Sequence, residues 1–245
     1  MFLHGRYSDP VGGDLVAERL EGQAGFLSLD FPGFGHSSFA SESPLAVSDL
    51  LELSVAICRR SLKNNPDSRL VLVGHDFGGL IAQLAACVLS AESGERVDLV
   101  LISPLTLGWE RLGDVPSWLH GTAARRELRH FLRHSILLTP DQKGQILAPR
   151  GKILSRIVES WPGPREKAMW RSRMGLFPGS LLVLWGARDP LSAGLLARDI
   201  LNLYRNVEYF EHERAGHWPF LEDPAWVAEK IRVFLFRTEP ALKTA

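Results

Sequence analysis

The chain predicts an α/β fold, a mostly parallel sheet with helices on both faces. Three observations carry that expectation. Short apolar runs such as Leu70 to Val73 and Val97 to Ile102 have the continuous hydrophobicity of strands buried on both sides. Segments with helical apolar spacing alternate with them along the chain, the pattern of parallel strands joined by crossover helices. Between Arg69 and Ala86, RLVLVGHDFGGLIAQLAA passes from strand to helix through a sharp glycine-rich turn.

Taken in order, Phe2-Leu3-His4-Gly5 reads as the end of a strand running into a loop, and Gly12 to Leu20 as a helix. Ala24 to Leu29 form the next strand, closed by the turn Asp30-Phe31-Pro32-Gly33-Phe34-Gly35-His36-Ser37. Pro44 to Leu62 make a long amphipathic helix with Ser43 as its N-cap. After the glycine turn and its helix, Val97 to Ile102 give another strand. From residue 105 to 179 strand patterns stop, prolines recur, and helical segments rich in Arg, His and Trp take over. Ser180 to Trp185 return to strand, Leu191 to Tyr204 to helix, and Val207 to Phe210 to strand. Pro224 to Phe236 close the chain as a helix with an apolar face through Trp226, Val227, Ile231 and Phe234. The expected organisation is one core from residues 1–104 and 180–245, with residues 105–179 inserted as a helical cap.

Composition limits the function classes. The chain has 245 residues, enough for one sizeable core, and its 45% hydrophobic and 23% charged residues are ordinary for a soluble globular protein. Lys+Arg and Asp+Glu both number 28, so no net charge draws it to nucleic acid or an anionic membrane. Cys58 and Cys87 give no disulfide framework and suit a reducing, cytoplasmic setting. No run reaches membrane-spanning length.

The chemistry gathers at strand ends. In GHDFGG, Gly74 and Gly78 stand two residues before and after Asp76, the G-x-Nuc-x-G spacing in which small flanking residues let a strained side chain stand exposed. Asp189, in GARDP, and His217, in GHWPFLEDP, follow further strands, so the reactive groups occur in the order Asp76, Asp189, His217. Turn chemistry alone accounts for an Asp between glycines, and an N-cap before Pro190 for Asp189; the shared placement and order favour a catalytic set.

With FLHG (2 to 5) and DFPGFGHSS (30 to 38), these motifs resemble the α/β-hydrolase superfamily, in the branch with an aspartate nucleophile typified by epoxide hydrolases and haloalkane dehalogenases. The resemblance implies an α/β-hydrolase fold whose helical insertion is the cap. It also implies two strands before FLHG, which are either missing from a genuinely short sheet or lie upstream of this start; their loss would leave the Ala24–Leu29 strand as an edge open to pairing, hence a monomer or a homodimer. Asp76 would attack an electrophilic carbon and form an ester. His217, oriented by Asp189, would activate the water that hydrolyses it. Backbone N–H groups of Phe77 and Arg6 would form the oxyanion hole, and Tyr7, Trp109 and Trp218 would line a pocket for a small or medium apolar substrate. No cofactor and no metal are expected.

Residue departures keep alternatives open. No tyrosine lies between residues 105 and 179 to protonate an epoxide oxygen, Phe77 rather than Trp follows Asp76, and Tyr7 stands where the family has proline. An epoxide is favoured over a haloalkane because no halide-binding Trp follows Asp76. Alternatively Asp76 and His217 serve as a general base for elimination, isomerisation or cyclisation, or the chain is an inactive binding protein. In the insertion, Arg125, Arg126, Arg129, His130, Arg133 and His134 crowd one helix. The i, i+4 histidines lack an accompanying ligand signature, and a basic stripe most often forms a solvated face.

Overall fold

The computed structural model describes residues 1–6, 11–38, 46–93, 97–107, 121–147, 162–190 and 196–236. Among them six strands form one sheet: β1 (Phe2–Leu3), β2 (Ser28–Leu29), β3 (Leu70–His75), β4 (Val97–Ile102), β5 (Leu181–Gly186) and β6 (Val207–His212). Their order is β2-β1-β3-β4-β5-β6, and every neighbouring pair is parallel. β4 and β5 are buried at every residue, as strands covered on both faces must be.

The described helices are α1 (Val11–Arg19), α2 (Val47–Asn64), α3 (Asp76–Ser93), α4 (Gly121–His134), α5 (Pro140–Leu147), α6 (Pro164–Gly175), α7 (Leu196–Leu203), α8 (Pro219–Glu222) and α9 (Pro224–Phe236). The central helix α3 buries Leu80, Ile81, Ala82, Leu84, Ala85 and Ala86 and is apolar nearly all round. Its one buried polar side chain in that run, Gln83, donates to the Gly79 and Leu105 carbonyls and accepts from the Tyr204 hydroxyl.

Several sequence expectations change. The strand expected over Ala24–Leu29 shrinks to Ser28–Leu29, because its partner β1 offers two residues to pair with and Gly22 turns the chain just upstream with a φ of 75°. It does lie at the sheet edge. The helix expected from Pro44 begins at Val47 with Ala46 as N-cap, where Asp49 accepts from the Ala46 N–H; Ser43 lies outside the described residues. The short α8 was missed, since four residues cannot display a helical period.

In the insertion, the described residues are helical or irregular. α4 turns Leu128, Phe131 and Leu132 inward and Arg126, Arg129, His130, Arg133 and His134 to solvent, so the basic stripe is an exposed face; the Arg125 side chain is outside the description. Trp170 and Phe177 are buried as packing residues. No described helix is long and apolar enough to cross a membrane.

Candidate active site

β3 ends and α3 begins at Asp76, with no residue between them. Asp76 has φ 49°, in the left-handed region that non-glycine residues rarely occupy. The neighbouring glycines make this turn possible. A Cβ on Gly78 would lie 2.2 Å from the Leu3 carbonyl oxygen, and one on Gly5 would lie 2.7 Å from the Asp76 Cβ. The loop after β1 therefore presses against the strained residue. After β4, Ser103 is strained as well, with φ 41°, and the Leu105 N–H donates to the Asp76 carbonyl.

That close approach brings Arg6 onto Asp76. The Arg6 backbone N–H donates to Asp76 Oδ2 at 2.8 Å. The Arg6 side chain donates from Nε to the same oxygen at 3.0 Å and from Nη2 to Oδ1 at 3.0 Å. Both residues are buried, Arg6 at 3% exposure and Asp76 at 0%. Burial by itself would raise the Asp76 carboxyl, but the Arg6 charge, the His217 charge and the Arg6 hydrogen bonds outweigh it and hold the group below the usual carboxylate range.

His217 approaches from the other side, with Nε2 3.8 Å from Asp76 Oδ1. Its Nδ1–H donates to Asp189 Oδ2 at 2.9 Å, and the Trp185 Nε1–H donates to that same oxygen at 2.9 Å. Asp189 follows β5 and Trp185 lies within it, so a strand end fixes the carboxylate that aims the imidazole. The loop carrying His217 is held by Glu222, whose Oε1 accepts from the Gly216 and Trp218 N–H groups. Burial pulls the His217 pKa down, but the Asp189 charge and hydrogen bond and the Asp76 charge carry it above its ordinary 6.5.

A second buried histidine shows what the carboxylates do. His75 lies with its ring centroid 4.8 Å from that of His217 and donates from Nε2 to the His217 carbonyl. Burial, and then the charge of His217, push its pKa down to about 3. It is a neutral packing and hydrogen-bonding group. α4 and the residue that follows it contact His217: Phe131 stacks on the His217 ring at 4.7 Å and 22°, and Ser135 Oγ accepts from the His217 N–H.

The structure thus brings together Asp76, Asp189, His217 and the Arg6 N–H. Phe77 is buried in the first turn of α3, where N–H groups point out of the helix end. Trp218 is fully buried and packs edge-on against His217. Its Nε1, like His217 Nε2, has no hydrogen-bond partner among the described residues. Tyr7 and Trp109 lie outside them. Tyr204 and Tyr209 are occupied elsewhere, on Gln83 and Glu211.

The sequence offers the Arg6 guanidinium as a possible donor without fixing its inward direction, and its reading did not mark Trp185, Glu222 or Ser103 as parts of the site. Trp185 carried a signal, a Trp four residues before the acid at a strand end. The others depend on loop packing that no spacing reports. Among the described residues, no His, Cys, Asp and Glu cluster is arranged to hold a metal ion. A groove of about 650 Å³ opens at the opposite end of the sheet, lined by Leu20, Phe26, Cys58, Leu62, Leu70 and Ile231, away from Asp76 and His217.

Comparison with known proteins gives a consistent frame. The family model described as "Alpha/beta hydrolase family" matches residues 1–230. Similar solved structures include Est816, described as an N-acyl homoserine lactone degrading enzyme, with TM-score 0.71, 18% identity, and 95% of this chain and 91% of that one covered. A thermophilic esterase from Thermogutta terrifontis has TM-score 0.71 at 16% identity, covering 96% and 88%. Naproxen esterase from Bacillus subtilis has TM-score 0.69 at 15% identity, covering 96% and 82%. Such distant likenesses establish the fold alone. Curated protein sequences gave no match.

Proposed function

Since the chain belongs to the alpha/beta hydrolase family, we propose that it is a hydrolase working through a covalent ester on Asp76. The observation that carries this reading is the placement of Asp76 itself. It is a strained residue at the strand–helix junction, with Oδ2 on a backbone N–H and Oδ1 3.8 Å from His217 Nε2.

Oδ1 attacks an electrophilic carbon of a small or medium apolar substrate, of which epoxides and alkyl halides are examples, and becomes the bridging oxygen of the ester. Oδ2 becomes the ester carbonyl oxygen. His217, aimed by Asp189, removes a proton from the water that attacks the Asp76 carboxyl carbon. The oxyanion that develops at Oδ2 takes the Arg6 N–H, joined by the Phe77 N–H and the positive end of α3. Ester cleavage then returns the carboxylate and releases an alcohol.

The general-base alternative draws no support from the Arg6 pair. A carboxylate held below its usual range has a reduced affinity for a proton, which weighs against its acting as a general base. The test is His217→Gln. It should trap the ester, so that intact mass shows Asp76 carrying one substrate fragment. A substrate turned over by wild type that leaves no adduct on His217→Gln would contradict the reading.

A further inference from the structure

The loop that carries His217 has five consecutive N–H groups, from Arg214 to Trp218, that donate to side chains. Arg214 and Ala215 donate to His212 Nδ1, and Gly216 and Trp218 to Glu222 Oε1. These two acceptors stand at the end of β6 and in α8. The N–H of His217 itself goes instead to Ser135 Oγ, at 3.3 Å. Ser135 directly follows α4 in the inserted segment, and its own N–H donates to the Phe131 carbonyl. Phe131 stacks on the His217 ring, so one turn of the insertion touches both the backbone and the ring of the histidine. Gly216 makes the approach possible, since a Cβ there would lie 2.3 Å from Ser135 Oγ. The Ser135 hydroxyl and the Leu137 N–H in turn donate toward the Glu222 carboxylate.

We propose that Ser135, held by Glu222, is a positioning residue for hydrolysis of the Asp76 ester; the inference rests on the reaction proposed above. The two steps of that reaction ask for different groups. Ester formation uses Asp76, whose backbone is held by Leu105 and whose carboxylate is held by Arg6. Ester hydrolysis uses His217 Nε2, which takes a proton from a water facing the Asp76 carboxyl carbon. Nε2 is 3.8 Å from Asp76 Oδ1, beyond hydrogen-bond reach, so the stand-off of the ring decides where a water can lie. Asp189 fixes the far side of the ring through Nδ1. A hydrogen bond at one ring atom leaves the ring free to pivot about it. The Ser135 bond to the backbone and the Phe131 face against the ring remove that freedom. Misplacing a reacting group by about 1 Å can cost about 100-fold. Ser135 acts through His217 and therefore on the second step.

The first measurement needs no substrate. The His217 Nδ1–H proton, donated to Asp189, is followed by low-field proton NMR in wild type and Ser135→Ala. Ser135 and His217 are both fully buried, so bulk water does not supply the acceptor that the substitution removes. The proton should exchange with water at least about tenfold faster in Ser135→Ala, while the amides of β3, β4 and β5 exchange as in wild type. The second measurement uses hexyl bromide and styrene oxide as probes, with rapid quenching and intact mass to read the fraction of enzyme carrying an ester on Asp76. Ser135→Ala should accumulate the ester. Its kcat should be at least about tenfold lower with kcat/KM unchanged, because kcat/KM reports ester formation and kcat the slowed hydrolysis. A residue that only supported the fold would lower both together. Should Ser135→Ala not fold, Glu222→Gln removes the charge that holds the Ser135 hydroxyl and should give the same pattern.

Proton exchange equal to that of wild type overturns the inference, as does a fall in kcat/KM that matches the fall in kcat. An ester trapped by His217→Gln but not raised in Ser135→Ala overturns this inference and leaves the proposed reaction standing. No ester on either variant, from a probe that wild type consumes, overturns the reaction and with it the role of Ser135.

Discussion

Two arginine–aspartate pairs sit at opposite ends of the same sheet. At one end Arg6 grips Asp76; at the other Arg69 donates to Asp98, which starts inside β4. Both aspartates are fully buried. Asp98 has ordinary strand geometry, and its second oxygen accepts the Ser180 N–H at 2.7 Å, so it ties β3, β4 and the entrance to β5 together. Arg69 is a third exposed. Asp76 by contrast stands at φ 49°, faces His217, and is sealed with its arginine from water. An ion pair alone therefore does not mark a reactive carboxylate. The strained backbone, the second titratable neighbour and the helix end distinguish the two.

That contrast can be broken by substitution, and the largest expected effects fall at the Asp76 end. Asp76→Asn should lower turnover by at least about 10⁴-fold, the scale of losing a member of a catalytic set. Activity surviving within tenfold of wild type would make Asp76 equivalent to Asp98. Trp185→Phe removes the N–H on Asp189 while keeping an aromatic ring. A hydrogen bond to a charged group contributes about 1.5–3 kcal/mol, so turnover should fall roughly ten- to a hundredfold. Kinetics indistinguishable from wild type would show that His217 alone orients Asp189.

At the other end, Asp98→Asn should cost about 1–3 kcal/mol in denaturant unfolding and leave turnover per folded molecule unchanged. A selective loss of activity would erase the contrast.

The smallest effects concern pH, and the two neighbouring histidines act with opposite signs. His217 is raised above 6.5 by Asp189 and Asp76 in the resting site; the ester removes the Asp76 charge, so hydrolysis of the ester, which needs the neutral His217 ring, should accelerate as pH rises through a value lower than that of the resting site. Its contribution to stability is full below 6.5 and is lost as pH rises through the folded value. His75, lowered to about 3, contributes stability that is full above 6.5 and lost as pH falls toward 3. Unfolding midpoints across pH 3 to 9 should therefore decline on both sides of the neutral range; a flat profile would contradict these environments.

The same contrast shows what could be read in the chain itself. The strands β3, β4 and β5 announce themselves by unbroken apolar runs. The G-x-D-x-G spacing locates the turn, because the clash of a Gly78 Cβ with the Leu3 carbonyl forces a residue type that sequence displays. Asp189 and His217 were legible from their places after strands. The Arg6 guanidinium was not, since its direction depends on how the loop after β1 packs against β3. Nor was the stacking of Phe131 on His217, which depends on where α4 comes down over the sheet. Asp98 hides in an apolar run, where one polar residue gives no hint that Arg69 and Ser180 converge on it.

The claim that Asp76 is attacked and restored in each cycle has a direct test. One turnover of the wild-type enzyme is run in heavy-oxygen water, and the peptide containing Asp76 is weighed. Hydrolysis at the Asp76 carboxyl carbon places one heavy oxygen in that side chain and leaves the first alcohol released unlabelled. Heavy oxygen in the product, with none in Asp76, would mean that water attacks the substrate directly and would contradict the covalent account.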